Sequence, residues 1–231
     1  MMETLHEFHA RVDGFQRCSL PQDGRLVTKP LLVEKVDGSG KLLPFFGNTM
    51  IFDLPVEVQL QITRMQLLLH HRCGPMLAEP LAPATLHMTL HDLLNGVDAA
   101  TLAAPVRQTG EQAKDLLASM RAAHIPPIRL TSTCAFNMTC GSVALGFAPD
   151  TAEDCAAIMG MHARFQDVVA LSYPLTPHVT LAYYRPGTHD TASLADALRE
   201  INALEKVHIT LSAQELHYYR FTDMNTYIRE D

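Results

Sequence analysis

Two short stretches of this chain carry residues whose types and spacing suit proton transfer at a phosphate: His87-Met88-Thr89-Leu90 and His178-Val179-Thr180-Leu181. Strand residues alternate faces, so His87 and Thr89 project to one side while Met88 and Leu90 take the other. His178 and Thr180 likewise share a side, opposite Val179 and Leu181. Two imidazoles near neutral pKa, flanking one anion, can divide the roles of general base and general acid. The hydroxyls of Thr89 and Thr180 can donate to the non-bridging oxygens of that anion. With 12 histidines in the chain, one such tripeptide would mean little. The matched placement of two, each followed by leucine, favours chemistry over packing.

The elements that must position these residues repeat. Ile51-Phe52-Asp53-Leu54-Pro55 precedes a helix and then the His87 strand, and Leu145-Gly146-Phe147-Ala148-Pro149 precedes a helix and then the His178 strand. The proline-to-histidine interval is 32 residues in one copy and 29 in the other. Apolar residues at helical spacing (Val58, Ile62, Met65, Leu69) predict a helix over 55–71, with Pro55 in its first turn, where its missing N–H costs nothing. Further helices are expected over 105–123, from Asp150 with Asp150 and Glu153 as the capping pair, and from about Asp190. Strands are expected over 86–94, 128–136, 142–147, 177–184 and 207–216, with two short ones before the end.

The expected fold is therefore α+β and bilobal: a strand–helix–strand–helix–strand unit duplicated about a pseudo-twofold axis, with two antiparallel sheets flanking a central cleft and helices outside. Residues 1–47 read as a lead-in, and 48–231 as the domain, with lobes near 48–135 and 136–231 that can exchange strands.

At 231 residues with 47% apolar composition the chain can bury a substantial core. Its 25 acids and 18 bases give a formal net charge of -7, which disfavours non-specific binding of extended nucleic acid, although a local cleft can oppose the global sign. No stretch is apolar enough to span a membrane and no leader is expected from MMETLHEF. Five cysteines (Cys18, Cys73, Cys134, Cys140, Cys155) without a C-x-x-C pair read as free thiols in a reducing compartment, so a cytoplasmic location is expected.

Strict alternation would also place Tyr184 and His91 on the faces of the two signatures, as a stacking platform and a third cleft histidine; Asn48 sits at the mouth of the first strand as a further substrate contact. Only Arg185 lies near these strands, and that scarcity of cations fits one phosphodiester better than a polyphosphate. Two rival readings exist. His87, His91 and His178 could form a zinc site, but residues i and i+4 on a strand are about 13 Å apart, too far for one ion unless the strand bulges. The same cleft could also belong to a non-catalytic module that binds nucleotides.

The paired H-x-T-hydrophobic signatures resemble those of the two-histidine (2H) phosphoesterase superfamily, in its LigT-like, cyclic-phosphodiesterase branch. The resemblance covers about residues 48–221. Leu43-Pro44-Phe45-Phe46-Gly47-Asn48-Thr49 is similar to a stretch in a poorly characterised bacterial group of that superfamily. It implies that His87, Thr89, His178 and Thr180 are the catalytic set, that no metal or other cofactor is needed, and that the partner is a small nucleotide or an RNA-terminal cyclic phosphate.

Overall fold

The computed structural model describes residues 3–17 and 19–231; Cys18 lies outside the described residues. Two four-stranded antiparallel sheets form the framework. The first has the order β10-β9-β2-β3 and the second β6-β5-β4-β8. Here β2 is Phe46–Asp53, β3 His87–Gly96, β4 Ile128–Met138, β5 Ser142–Pro149, β6 His178–Tyr183, β8 His208–Leu211, β9 Leu216–Asp223 and β10 Thr226–Arg229. The two histidine strands, β3 and β6, are the facing edges of the two sheets.

The halves exchange strands. After the first repeat the chain enters β4, which pairs with β5 of the second sheet, and the C-terminal β9 returns to pair with β2 of the first. The lobe boundary expected near 135/136 therefore does not exist as a cut in space: β4 spans it. The lead-in is no appendage either. Its strand β1 (Arg25–Val27) pairs with β7 (Thr188–Asp190), and Leu26, Leu32, Val36, Leu42 and Phe45 join the main core.

The helices lock this arrangement from outside. Helix α3 (Ala99–Ala122) backs the first sheet and α5 (Ala192–Asn202) the second. Helix α2 (Val56–Cys73) crosses to lean on β6 and α5, while its counterpart α4 (Ala152–Phe165) packs on β4 and β5 and also reaches β3 and α3. The first helix, α1 (Leu5–Arg17), seats Phe8 and Val12 on Ala148 and Cys155. Gln16 of α1 comes so close to β5 that a Cβ on Gly146 would meet its Nε2 at 2.1 Å.

Two helix starts differ from the sequence expectation. Asp98 caps α3 by accepting from the N–H groups of Ala100 and Thr101, which starts the helix a turn and a half before Pro105 and leaves that proline inside it. In α4 the cap falls one residue later than expected: Thr151 Oγ1 accepts from the Asp154 N–H and donates to the Asp154 carboxylate at 2.7 Å. Asp154 also accepts the Arg129 N–H, tying the helix to β4.

Strand alternation fails at the end of each signature, and β3 has a second irregularity further on, between Asp92 and Asn95. Met50 pairs with His91 and Ile51 with Thr89, leaving Leu90 as the extra residue of a β-bulge. Val143 pairs with Ala182 and Ala144 with Thr180, leaving Leu181 in the same role. The leucine that closes each signature is thus the bulged residue, and each strand changes phase immediately after it. The Leu181 carbonyl is held by Gln66 of α2, whose Nε2 donates to it at 2.9 Å.

Candidate active site

A cavity of about 630 Å³ opens between the two sheets, and His87, Thr89, His178 and Thr180 all line it. The four residues that the signatures single out are therefore brought together, two from each edge strand.

Both rings are held the same way. His87 Nδ1 lies 2.7 Å from the Thr85 carbonyl and His178 Nδ1 2.7 Å from the Thr176 carbonyl. A carbonyl can only accept, so Nδ1 carries the proton in each ring and Nε2 is left to exchange protons with a ligand. The loops supplying those carbonyls are braced in turn. Asn225 Oδ1 accepts from the Ala82 N–H and the Thr85 hydroxyl. Arg11 of α1 donates to Thr176 Oγ1 at 3.1 Å and to the Leu175 carbonyl at 2.9 Å, while Glu3 pairs with the same guanidinium.

Burial pushes both imidazoles below the ordinary histidine pKa. For His87 the Thr85 hydrogen bond opposes that shift, the neighbouring His178 adds to it, and Asp92 and Asp53 oppose it. For His178 the opposing groups are the Thr176 carbonyl and Asp92.

The phase change at each bulge decides which other residues join the site. Asp92 and Tyr183 line the cavity beside the signatures, in the positions where alternation had placed His91 and Tyr184. His91 still borders the cavity, as does His162, but its ring is buried against α4, 4.9 Å from that of His162 and 5.9 Å from that of Phe165. The bulge turns it off the His87 face, so the three-histidine metal set does not assemble; no group of three or more metal-ligating side chains is found among the described residues. Tyr184 is fully buried on the far side of β6, stacked on His189. Asn48 is also structural: its amide donates to the Val106 carbonyl, Thr109 Oγ1 and the Tyr218 hydroxyl, and its Oδ1 accepts the Leu94 N–H. It pins β2 to α3 and is 1% exposed.

Sequence reasoning missed several wall residues. Tyr173 donates to Asp92 Oδ2 at 2.9 Å, and the Tyr227 ring meets His87 edge-on at 4.7 Å. Lys29, Lys35, Phe45 and Arg11 come from the lead-in. The one legible signal was a doubled threonine: Thr85-Leu86-His87 and Thr176-Pro177-His178 extend the repeat two residues upstream, to the carbonyls that hold the rings.

No family model and no curated protein matches this chain. Solved structures do match. A conserved protein of unknown function from Agrobacterium tumefaciens superposes with a TM-score of 0.66 at 18% identity, over 95% of this chain and 97% of that one. Escherichia coli LigT, crystallised with 3'-AMP, superposes with a TM-score of 0.51 at 17% identity, over 81% of this chain and 96% of LigT. The fold is LigT-like, an α+β architecture of paired antiparallel sheets. Among the described residues no helix is long and apolar enough to cross a membrane.

Proposed function

We propose that this chain is a two-histidine phosphoesterase that hydrolyses a 2',3'-cyclic, or related cyclic or 2'–5', phosphodiester of a small nucleotide or RNA end. The observation that carries the reading is the pair of histidines on facing edge strands, each with Nδ1 committed to a carbonyl two residues upstream and Nε2 free for a ligand. The LigT-like fold supports it, as does the 3'-AMP held by LigT.

In this reaction one neutral imidazole takes a proton at Nε2 from water as the water oxygen bonds to phosphorus. The opposite imidazolium gives its Nε2 proton to the ribose oxygen as the P–O bond breaks, leaving a phosphate monoester and a hydroxyl. Each positioned proton-transfer group contributes about 10²–10⁴-fold. Thr89 and Thr180 donate to the non-bridging oxygens, where charge builds up in the transition state. The free thiols of Cys73, Cys134, Cys140 and Cys155 support a reducing location, which we take to be the cytoplasm.

A turnover screen over 2',3'-cyclic nucleotides, ADP-ribose cyclic phosphate and 2'–5' oligoadenylates, with EDTA present, tests this. Activity on at least one class is expected, falling at least about a hundredfold in His87→Ala and in His178→Ala while circular dichroism is unchanged. Full activity in either variant overturns the proposal. Tight phosphate binding with no turnover of any compound would instead indicate a nucleotide-binding module.

A further inference from the structure

The cavity wall contributed by the lead-in holds charge that neither histidine strand supplies. A short 3-10 turn, Pro30–Glu34, is anchored by Leu32 in the core and flanked by a lysine at each end, Lys29 and Lys35. Both lysines line the cavity with the two histidines. Lys35 Nζ sits 4.7 Å from the Phe45 ring centroid and 5.7 Å from that of Tyr183, which shares the His178 face. No carboxylate pairs with Lys35 or Lys29 among the described residues. Lys29 is held by its N–H donating to the Cys140 carbonyl, and its side chain lies over Gly141, where a Cβ would meet Cε at 2.5 Å.

This corrects the charge argument made from the strands alone. Arg185, the cation nearest in sequence, donates to the Gly38 carbonyl and is not part of the cavity wall. The acids are sparse as well: Asp92 is the only acidic residue on that wall among the described residues, and it already accepts from Tyr173. A chain of net charge -7 has therefore built a locally cationic recess. The two ring faces attract the ammonium, but without a carboxylate partner the cost of burying its charge is offset only in part until a ligand brings the counter-charge. Burial, with Lys29 as a cationic neighbour, accordingly draws the Lys35 pKa down to about 8, against the pull of Asp92.

We propose that Lys35 and Lys29 form a subsite for a second phosphate, so that the preferred substrate is a cyclic phosphodiester that also carries a separate phosphate monoester. This rests on the phosphoesterase reading for its reaction, but the binding it invokes stands apart from turnover. A monoester dianion matches two ammonium groups better than an internucleotide diester, which brings a single charge.

The test compares three compounds on the full chain: adenosine 2',3'-cyclic phosphate, its 5'-phosphorylated form, and a dinucleotide ending in a 2',3'-cyclic phosphate. We expect the 5'-phosphorylated compound to show a kcat/KM at least about tenfold above the unphosphorylated one. That ratio should fall towards one in Lys35→Gln and in the Lys29→Gln/Lys35→Gln double variant, and survive in part in Lys35→Arg. Calorimetry with adenosine 2',5'-bisphosphate against adenosine 2'-monophosphate should show the same preference and the same loss. If no cyclic compound turns over but the bisphosphate preference is present and lysine-dependent, the reaction is wrong and the subsite stands. Equal handling of both members of each pair, or a preference that survives in the double variant, overturns the subsite. A preference for the dinucleotide over the 5'-monophosphate overturns the monoester in favour of a polynucleotide end.

Discussion

Asp92 and Tyr183 occupy the same position in the two halves, each five residues beyond its histidine and each turned into the cavity by a bulge at the signature leucine. The backbone symmetry is kept but the charge symmetry is broken. Asp92 favours the protonated form of both His87 and His178, whereas burial keeps the Tyr183 hydroxyl un-ionised. One carboxylate thus biases a pair of imidazoles that burial would otherwise hold neutral, and acid–base catalysis needs one of the two charged.

Replacing that carboxylate should move the pH dependence. In Asp92→Asn both histidine pKa values fall further, so the fraction of enzyme with one imidazolium shrinks at neutral pH. We expect kcat/KM at pH 7.5 to drop by about three- to tenfold, with much of the loss recovered at more acidic pH. Tyr183→Phe should leave the profile in place. Profiles that superimpose for the wild type and Asp92→Asn would refute the assignment.

The wild-type profile follows from the same shifts. Both imidazoles titrate below the ordinary value of 6.5 in the free protein. As pH rises past that range the general acid loses its proton; as pH falls the general base gains one. The kcat/KM bell should therefore centre on the acid side of 6.5 and decline by about tenfold per unit on its alkaline limb. Its two apparent pKa values belong to the coupled pair rather than to either ring. A maximum above pH 7.5 would contradict the pairing.

The quartet that lines the cavity was legible because a strand of period two and a repeated proline–helix–histidine interval are both local signals. Tyr184 leaves the cavity wall, and His91 turns from the His87 face towards α4, because one unpaired residue inverts every later face. In β6 the inversion leaves a trace, the adjacent buried pair Leu181-Ala182, but in β3 the corresponding pair is Leu90-His91, and a polar second member disguises it. The exchange of β4 and β9 between sheets has no local signature, since it depends on which distant edge each strand meets. The lysines were missed for a similar reason: Lys29 and Lys35 lie more than fifty residues before His87 and reach the cavity only through the core anchoring of Leu32.

Arg11 acts on His178 through the loop that holds it. Its guanidinium fixes Thr176 and Leu175, and the Thr176 carbonyl fixes the ring. Arg11→Met keeps much of the side-chain volume and removes the brace. Expected is a fall in kcat of about five- to thirtyfold with little change in KM, because a looser ring mispositions the proton transfer more than the ground-state contact. Arg11→Lys should restore part of the loss. A change confined to KM would make Arg11 a substrate contact instead.

Buried imidazoles beyond the two signature histidines set an acid limit on stability. His162 on α4 is 6% exposed and lies against His91 with the two rings tilted, and burial first, then the His91 neighbour, draws its pKa down to about 4. The native state keeps this ring neutral where the unfolded chain, with an ordinary pKa near 6.5, has already bound a proton. The stabilisation is complete above pH 6.5 and is lost as pH falls towards 4, by a total on the order of 3 kcal/mol. Carboxylates such as Asp154 and Asp231, whose pKa values are lowered in the fold, are also weakened in acid, so the diagnostic quantity is a difference between proteins. Urea unfolding of the wild type and His162→Leu at pH 7.5, 5.5 and 4.5 should show the wild type losing more stability between the first and last values, by about 2–3 kcal/mol. His91 remains in both proteins and its own burial cancels to first order. Parallel losses in the two proteins would mean that the His162 ring takes up its proton in the native state at the ordinary pH.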